Sequence, residues 1–209
     1  MSRNHFIGLA GNIGVGKTTF TSKMCRAMGW KAYYESVADN PYLDNFYGDM
    51  NRWSFNLQIY FLHHRFKAHQ EMGNSNGGVV QDRTIYEDVE IFARNLFVMG
   101  KMDQRDWDNY RNLFSIMIPH LKKPDLIIYL RAKTDTLQTR IKSRARDFEK
   151  SIDPEYLHQI NVAYDSWINN IKNIPVLTVE TDNFNIHRDS GQFRKILSDV
   201  QGKLEKSYG

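Results

Sequence analysis

A chain of 209 residues, 41% hydrophobic and 25% charged, suits one α/β domain with a substantial core and at most a small appended subdomain. Its net charge of +4 is compatible with anionic small molecules, and too mild and dispersed to point to nucleic acid. A single cysteine, Cys25, excludes an internal disulfide and fits a reducing cytoplasm; the polar start Met1-Ser2-Arg3-Asn4-His5 offers no signal peptide, and no apolar run approaches membrane-spanning length.

The first element is an apolar strand, Phe6 to Ala10. It runs into Gly11-Asn12-Ile13-Gly14-Val15-Gly16-Lys17-Thr18, which matches G-x-x-x-x-G-K-[ST]. Behind it, Thr19 to Met28 places Phe20, Met24, Ala27 and Met28 at helical spacing. Strand, glycine-rich loop and helix together make a phosphate cradle: successive N–H groups face one concavity and the helix N-terminus adds positive potential. Lys17 can reach β- and γ-phosphates, and the Thr18 hydroxyl can ligate Mg²⁺. The motif predicts a nucleoside triphosphate site.

A second strand is expected over Lys31 to Glu35, followed by the loop Ser36 to Pro41 and a short helix, Tyr42 to Met50. A long helix follows from Trp53 to about Glu71, then a turn through Gly73-Asn74-Ser75-Asn76-Gly77-Gly78. Val79-Val80-Gln81-Asp82 reads as a short buried strand ending on a carboxylate. Ile85 to Val98 reads as a helix closed by Gly100, and Asp103 to Leu121 as another with an apolar stripe. Pro124-Asp125 introduces the strand Leu126 to Leu130, and an arginine-rich helix spans Thr134 to about Arg146. Asp153-Pro154 opens a helix to about Ile171, Pro175 introduces the strand Val176 to Val179, and a polar helix runs from about His187 to Lys206. Five strands alternating with helices imply a parallel sheet covered on both faces, in a single domain spanning 1–209.

In such sheets ligands bind outside the carboxyl ends of the strands. Glu35 and Asp82 end the second and third strands and should face the triphosphate. Gln58 and Arg65 lie seven residues apart and share a face of an otherwise apolar helix, so both need partners. Arg140 and Arg144 share a helix face and Arg146 follows, a cluster suited to phosphate oxygens.

Taken in order, Gly11 to Thr19, Glu35-Ser36-Val37, Tyr47, Trp53-Ser54-Phe55-Asn56-Leu57-Gln58, Arg65, Asp82-Arg83-Thr84-Ile85-Tyr86-Glu87-Asp88, Arg140…Arg144-Ala145-Arg146…Glu149 and Thr181-Asp182-Asn183-Phe184 resemble the deoxyribonucleoside kinases, bacterial deoxyadenosine/deoxyguanosine kinases most closely. The resemblance covers nearly the whole chain and fades past about Asn185. It implies a P-loop kinase fold with an arginine-rich lid over about 140–152, and transfer of the ATP γ-phosphate to a 5′-hydroxyl. By resemblance Glu35 is the general base, and Arg83 sits by the 5′-hydroxyl and pairs with Glu35. Thr18 and Asp82 hold Mg²⁺, although family members often carry glutamate where Asp82 stands. Arg140, Arg144 and Arg146 close over the phosphates.

The same resemblance assigns Gln58 to the Watson–Crick edge of the base and Arg65 with Asp88 to a base-reading pair. Tyr47 and Glu149 hold the 3′-hydroxyl, with the tyrosine ring excluding a 2′-hydroxyl. Trp53 and Phe92 line the base slot, and Asp182-Asn183-Phe184 holds the ATP adenine. Polar residues at 65 and 88 favour a purine, deoxyadenosine first and deoxyguanosine next, or cytosine over thymine. A deoxycytidine-preferring or broad deoxynucleoside kinase is the alternative. A nucleoside-monophosphate kinase would need a basic residue in place of Glu35, and a GTPase switch would carry N-K-x-D, which does not occur. Family members are commonly homodimers, and the stripe of Asp103–Leu121 is a candidate contact.

Overall fold

The structure is a computed structural model describing residues 4–34, 40–73, 75–144, 146, 149 and 152–206. Glu35, the loop residues 36–39 and part of the expected lid lie outside the described residues. Five parallel strands form one sheet in the order β2-β3-β1-β4-β5, with β1 at Phe6–Ala10, β2 at Lys31–Tyr33, β3 at Val79–Asp82, β4 at Leu126–Arg131 and β5 at Val176–Glu180. The central strand β1 is buried along its whole length, as a strand covered on both faces must be.

Side chains alternate between the two faces with the period of a strand. Ile7, Leu9, Leu126, Ile128 and Leu130 point into one core, packed under α1 (Lys17–Met28) and α9 (Ser190–Lys206) with Phe20, Met24, Ile196 and Val200. Ala10, Ile127 and Tyr129 point into the other. That core is built by α2 (Leu43–Gly48), α3 (Met50–Gly73), α6 (Gln104–Met117) and α8 (Pro154–Asn170), with Phe46, Leu57, Leu62, Tyr110 and Tyr164. Each large side chain fully buried there contributes about 1.5–3 kcal/mol.

The helices start and stop where their end residues dictate. Asp103 caps α6 by accepting from Asp106 N at 2.8 Å, and Asp153 caps α8 from Glu155 N at 2.9 Å, with Pro154 in the first turn where no N–H is needed. α6 stops at Met117 and tightens into a short 3₁₀ turn, Ile118–His120, because Pro119 cannot continue the ladder. α7 runs Thr134–Arg144, and α9 begins at Ser190 rather than His187, after a turned segment in which Asn185 N donates to Asp189.

The stretch expected as one helix from Ile85 to Val98 is three joined pieces. α4 (Ile85–Glu87) passes into a π-helical segment, Asp88–Ala93, and then into α5 (Arg94–Val98). A π segment inserts an extra residue per turn and re-aims the side chains it carries. Here those include Asp88 and Phe92, both of which face the cleft beside β3. Among the described residues no helix is long and apolar enough to cross a membrane.

Candidate functional site

Two clefts open at the carboxyl ends of the strands, and the loop after β1 divides them. Gly16 and Thr19 line both. One cleft, about 440 Å³, is walled by Val15, Arg140, Thr181, Asp182, Asn183 and Phe184. The other, about 520 Å³, carries Lys17, Thr18, Asp82 and Arg83 at its base, Tyr47, Gln58, Asp88 and Phe92 further along, and Arg144, Arg146 and Glu149 at its side. A phosphate-binding loop between two pockets is the geometry for passing a phosphoryl group from one bound molecule to another.

The loop is held from both ends. Gly14 has φ +83°, and a Cβ there would lie 2.7 Å from Ile141 Cγ1, so both conformation and space require glycine. Asn12 is almost fully buried; its Nδ2 donates to Leu157 O at 2.9 Å and Asn161 Oδ1 at 2.7 Å, and its Oδ1 accepts from Ile13 N at 2.7 Å. Thus α8 fixes the first turn of the loop. Lys17 Nζ donates to the carbonyls of Gly11 at 2.8 Å and Asn12 at 3.0 Å, which keeps the buried ammonium inside the cradle. A phosphate oxygen is a stronger acceptor for it than a peptide carbonyl.

Thr18 Oγ1 donates to Asp82 Oδ2 at 2.7 Å, so the hydroxyl and carboxylate expected to serve a cation converge. Two hard oxygen donors beside a triphosphate cradle fit Mg²⁺. The next residue, Arg83, has φ +68°, the one positive φ of a non-glycine among the described residues. An L residue held there costs about 1–2 kcal/mol, which the surrounding contacts must offset. Its N–H donates to Leu9 O at 3.0 Å, its carbonyl accepts from Arg65 at 3.1 Å, and its guanidinium lies 4.1 Å over the Phe92 ring.

Arg65 and Asp88 form a buried ion pair, Nε to Oδ2. Asp88 lines the cleft, whereas Arg65 stands behind it and joins Asp88 to the Arg83 carbonyl. Gln58, 2% exposed, faces the same cleft, and its Oε1 has no hydrogen-bond partner among the described residues. A buried amide oxygen left unmatched calls for a donor, and a molecule in the cleft can bring one. Tyr47 and Glu149 both line this cleft. Glu149, 4% exposed, accepts a two-pronged bond from Arg144, with Nε at 2.8 Å, and lies 3.5 Å from Arg146.

The arginine-rich cluster is therefore divided. Arg140 turns to the other cleft, where it donates to Val15 O at 3.2 Å, Thr181 Oγ1 at 3.2 Å and the Thr181 carbonyl. It thereby joins the phosphate loop to the segment carrying Asp182-Asn183-Phe184. Asp182 is occupied structurally: it accepts from Thr136 Oγ1 at 2.6 Å and Lys133 N at 3.0 Å, and the Thr136 bond foremost holds its carboxyl below the usual range. That leaves the Asn183 and Phe184 backbone and the Phe184 ring to shape this cleft.

A family model, Deoxynucleoside kinase, matches residues 7–205. The chain belongs to the deoxynucleoside kinase family. It is 37% identical over 200 residues to a deoxyadenosine/deoxycytidine kinase of Bacillus subtilis (strain 168), covering 95% of this chain and 92% of that one. It is 40% identical over 179 residues to a deoxyadenosine kinase of Dictyostelium discoideum, covering 85% and 73%. Among solved structures, a deoxyadenosine kinase from M. mycoides with products dCMP and a flexible dCDP bound superposes with a TM-score of 0.85 at 29% identity, covering 94% of this chain and 99% of that one. The fold is thus a P-loop kinase fold, and the protein a phosphotransferase that phosphorylates deoxynucleosides.

Two residues expected at the base, Trp53 and Arg65, are not among those lining the larger cleft. Trp53 is half-buried against the core that holds Phe46 and Leu57, its ring 5.9 Å from Tyr42 and 4.5 Å from the Arg52 guanidinium, and is not among the residues lining either cleft. Phe61 lines the slot instead, two turns beyond Trp53, with Leu57, Phe46 and Tyr156. Phe92 is placed as expected. The resemblance assigns Glu87 no role, although Thr84-Ile85-Tyr86-Glu87 has the T-x-x-E spacing of a helix-capping box.

Proposed function

We propose that this kinase transfers the γ-phosphate of ATP to the 5′-hydroxyl of a purine 2′-deoxynucleoside, with deoxyadenosine favoured and deoxyguanosine used more weakly. The unmatched Gln58 Oε1 carries the reading. An amide offers one acceptor and one donor side by side, which complements N6–H and N1 of adenine. The Asp88 carboxylate beside it, fixed by Arg65, adds a second acceptor for an exocyclic amine. Thymine would bring its methyl group against that buried pair, so thymidine is refused. Relatives that are deoxyadenosine and deoxyguanosine kinases support the same choice; deoxycytidine, with its own exocyclic amine, is the second reading.

In this account ATP lies with its adenine between Arg140 and Asp182-Asn183-Phe184 and its phosphates in the loop Gly11 to Thr19. The deoxynucleoside occupies the larger cleft, its 3′-hydroxyl between Tyr47 and Glu149. Glu35 accepts the 5′-hydroxyl proton, Arg83 steadies that oxygen and the moving phosphoryl group, and Lys17 neutralises charge on the β- and γ-phosphates. Thr18 and Asp82 would hold Mg²⁺, which would supply further neutralisation of phosphate charge. Arg144 and Arg146, with Arg140, form the lid that keeps water out; Arg144 is already aligned at the cleft by Glu149. A homodimer through the α6 stripe, in the cytoplasm, completes the proposal.

The test is a steady-state comparison of the four deoxynucleosides with ATP. The expected order of kcat/KM is deoxyadenosine, then deoxyguanosine or deoxycytidine, with thymidine essentially unused. A preference for thymidine would overturn the base assignment.

A further inference from the structure

We infer that Glu87 is a positioning residue for phosphoryl transfer, holding Arg83 at the cleft through the turn that begins at Thr84. This rests on the catalytic reading of Arg83 given above.

Glu87 touches neither cleft. It is 0% exposed and lies beneath the floor. All of its bonds lead to the segment after β3 or to α8: Oε2 accepts from Thr84 N at 2.7 Å and Thr84 Oγ1 at 3.1 Å, and Oε1 accepts from the Tyr164 hydroxyl at 2.7 Å. Thr84 is equally buried, and its methyl group sits where a Cβ on Gly8 would come within 2.5 Å, so the turn is pressed onto the central strand.

Arg83 therefore sits among three anchors, one of them its carbonyl, which accepts from Arg65 at 3.1 Å. Its own N–H is fixed to Leu9 O at 3.0 Å, and the following N–H is fixed to Glu87. A residue with φ +68° reverts to an ordinary conformation unless its neighbours are over-determined. Glu87 is the side chain that over-determines the residue after it. Removing it frees Thr84 N–H and lets Arg83 relax to negative φ, which swings the guanidinium off the Phe92 face.

Electrostatics point the same way. Burial raises the Glu87 carboxyl above its usual range, and the cations opposing that rise are Arg83 first and Lys17 last, the two cations assigned to the transferring phosphate. The carboxylate that caps the start of α4 therefore also lies within the electrostatic reach of both cations.

The experiment is a double-mutant cycle on the full enzyme with ATP and deoxyadenosine, reading kcat per folded molecule and deoxynucleoside KM. Glu87→Ala should lower kcat about 10²-fold, as displacement of a reacting group by an ångström does, with KM nearly unchanged. Glu87→Gln should recover most of that loss, because its amide oxygen still accepts from Thr84 N–H. In an Arg83→Lys background, Glu87→Ala should add little. Glu87→Asp keeps the carboxyl but shortens its reach, and carries the same cycle where the alanine variant does not fold. A folded variant with wild-type kcat, or an equal loss in both backgrounds, would overturn the inference. An Arg83→Lys enzyme with unchanged kcat would instead remove the catalytic reading of Arg83, and the two failures are told apart by that single mutant.

Discussion

Tyr47 enters the deoxynucleoside cleft from α2, edge-on to Phe46 at 5.1 Å, and Glu149 faces the same cavity from the other side of the chain. A hydroxyl between them would join a buried carboxylate already bonded to Arg144, and such charge-assisted bonds are worth about 1.5–3 kcal/mol. Tyr47→Phe should therefore raise the deoxynucleoside KM, and 2′,3′-dideoxyadenosine should fall below deoxyadenosine in kcat/KM by about 10–100-fold. Equal values for the two sugars would remove both residues from the sugar site. Cys25 gives a residue-scale prediction of the opposite kind. Burial pushes its thiol up to about 11, so at pH 8 little thiolate forms. Iodoacetamide should leave the native enzyme intact and modify the chain only after denaturation, as mass spectrometry would show; rapid native alkylation would mean that the α1 face opens.

At the scale of elements, α3 and the π segment after α4 are tied by one buried ion pair. Arg65 also reaches the Arg83 carbonyl, so this pair joins α3 and the π segment to the turn after β3. Asp88→Ala alone strands a buried guanidinium and should destabilise the fold by about 3–5 kcal/mol. Arg65→Met with Asp88→Ala removes both charges, so thermal denaturation should show the double variant recovering much of that loss. Its base ranking should move towards pyrimidines, thymidine included. An unchanged ranking would separate the pair from specificity. The π segment itself was not legible in the sequence: Ile85 to Val98 is too short and too densely apolar for the phase shift of one inserted residue to stand out. Glu87 was legible in part, through its T-x-x-E spacing, but its link to Tyr164 spans 77 residues and appears only once α8 packs.

Over the whole molecule, much could be read from residue order alone. The strand–loop–helix opening, the five strands and the carboxylate ending β3 all follow from local pattern. What could not be read depends on distant packing. Trp53 and Phe61 lie on one helix with similar apolar surroundings, and only the placement of α2 and α8 decides which of them meets the cleft. Arg140 and Arg144 share a helix face by spacing, yet one serves Thr181 and the other Glu149, partners contributed by two different loops. The resulting architecture is a phosphate loop standing between two clefts, and in the proposed function phosphate leaves ATP on one side and reaches a deoxynucleoside hydroxyl on the other. Incubation of the enzyme with ATP and deoxyadenosine, with products resolved by mass, tests it most directly. One deoxyadenosine 5′-monophosphate should form per ADP, with negligible ADP when the deoxynucleoside is left out. ADP release independent of deoxynucleoside, or phosphorylation of the monophosphate in preference to deoxyadenosine, would contradict it.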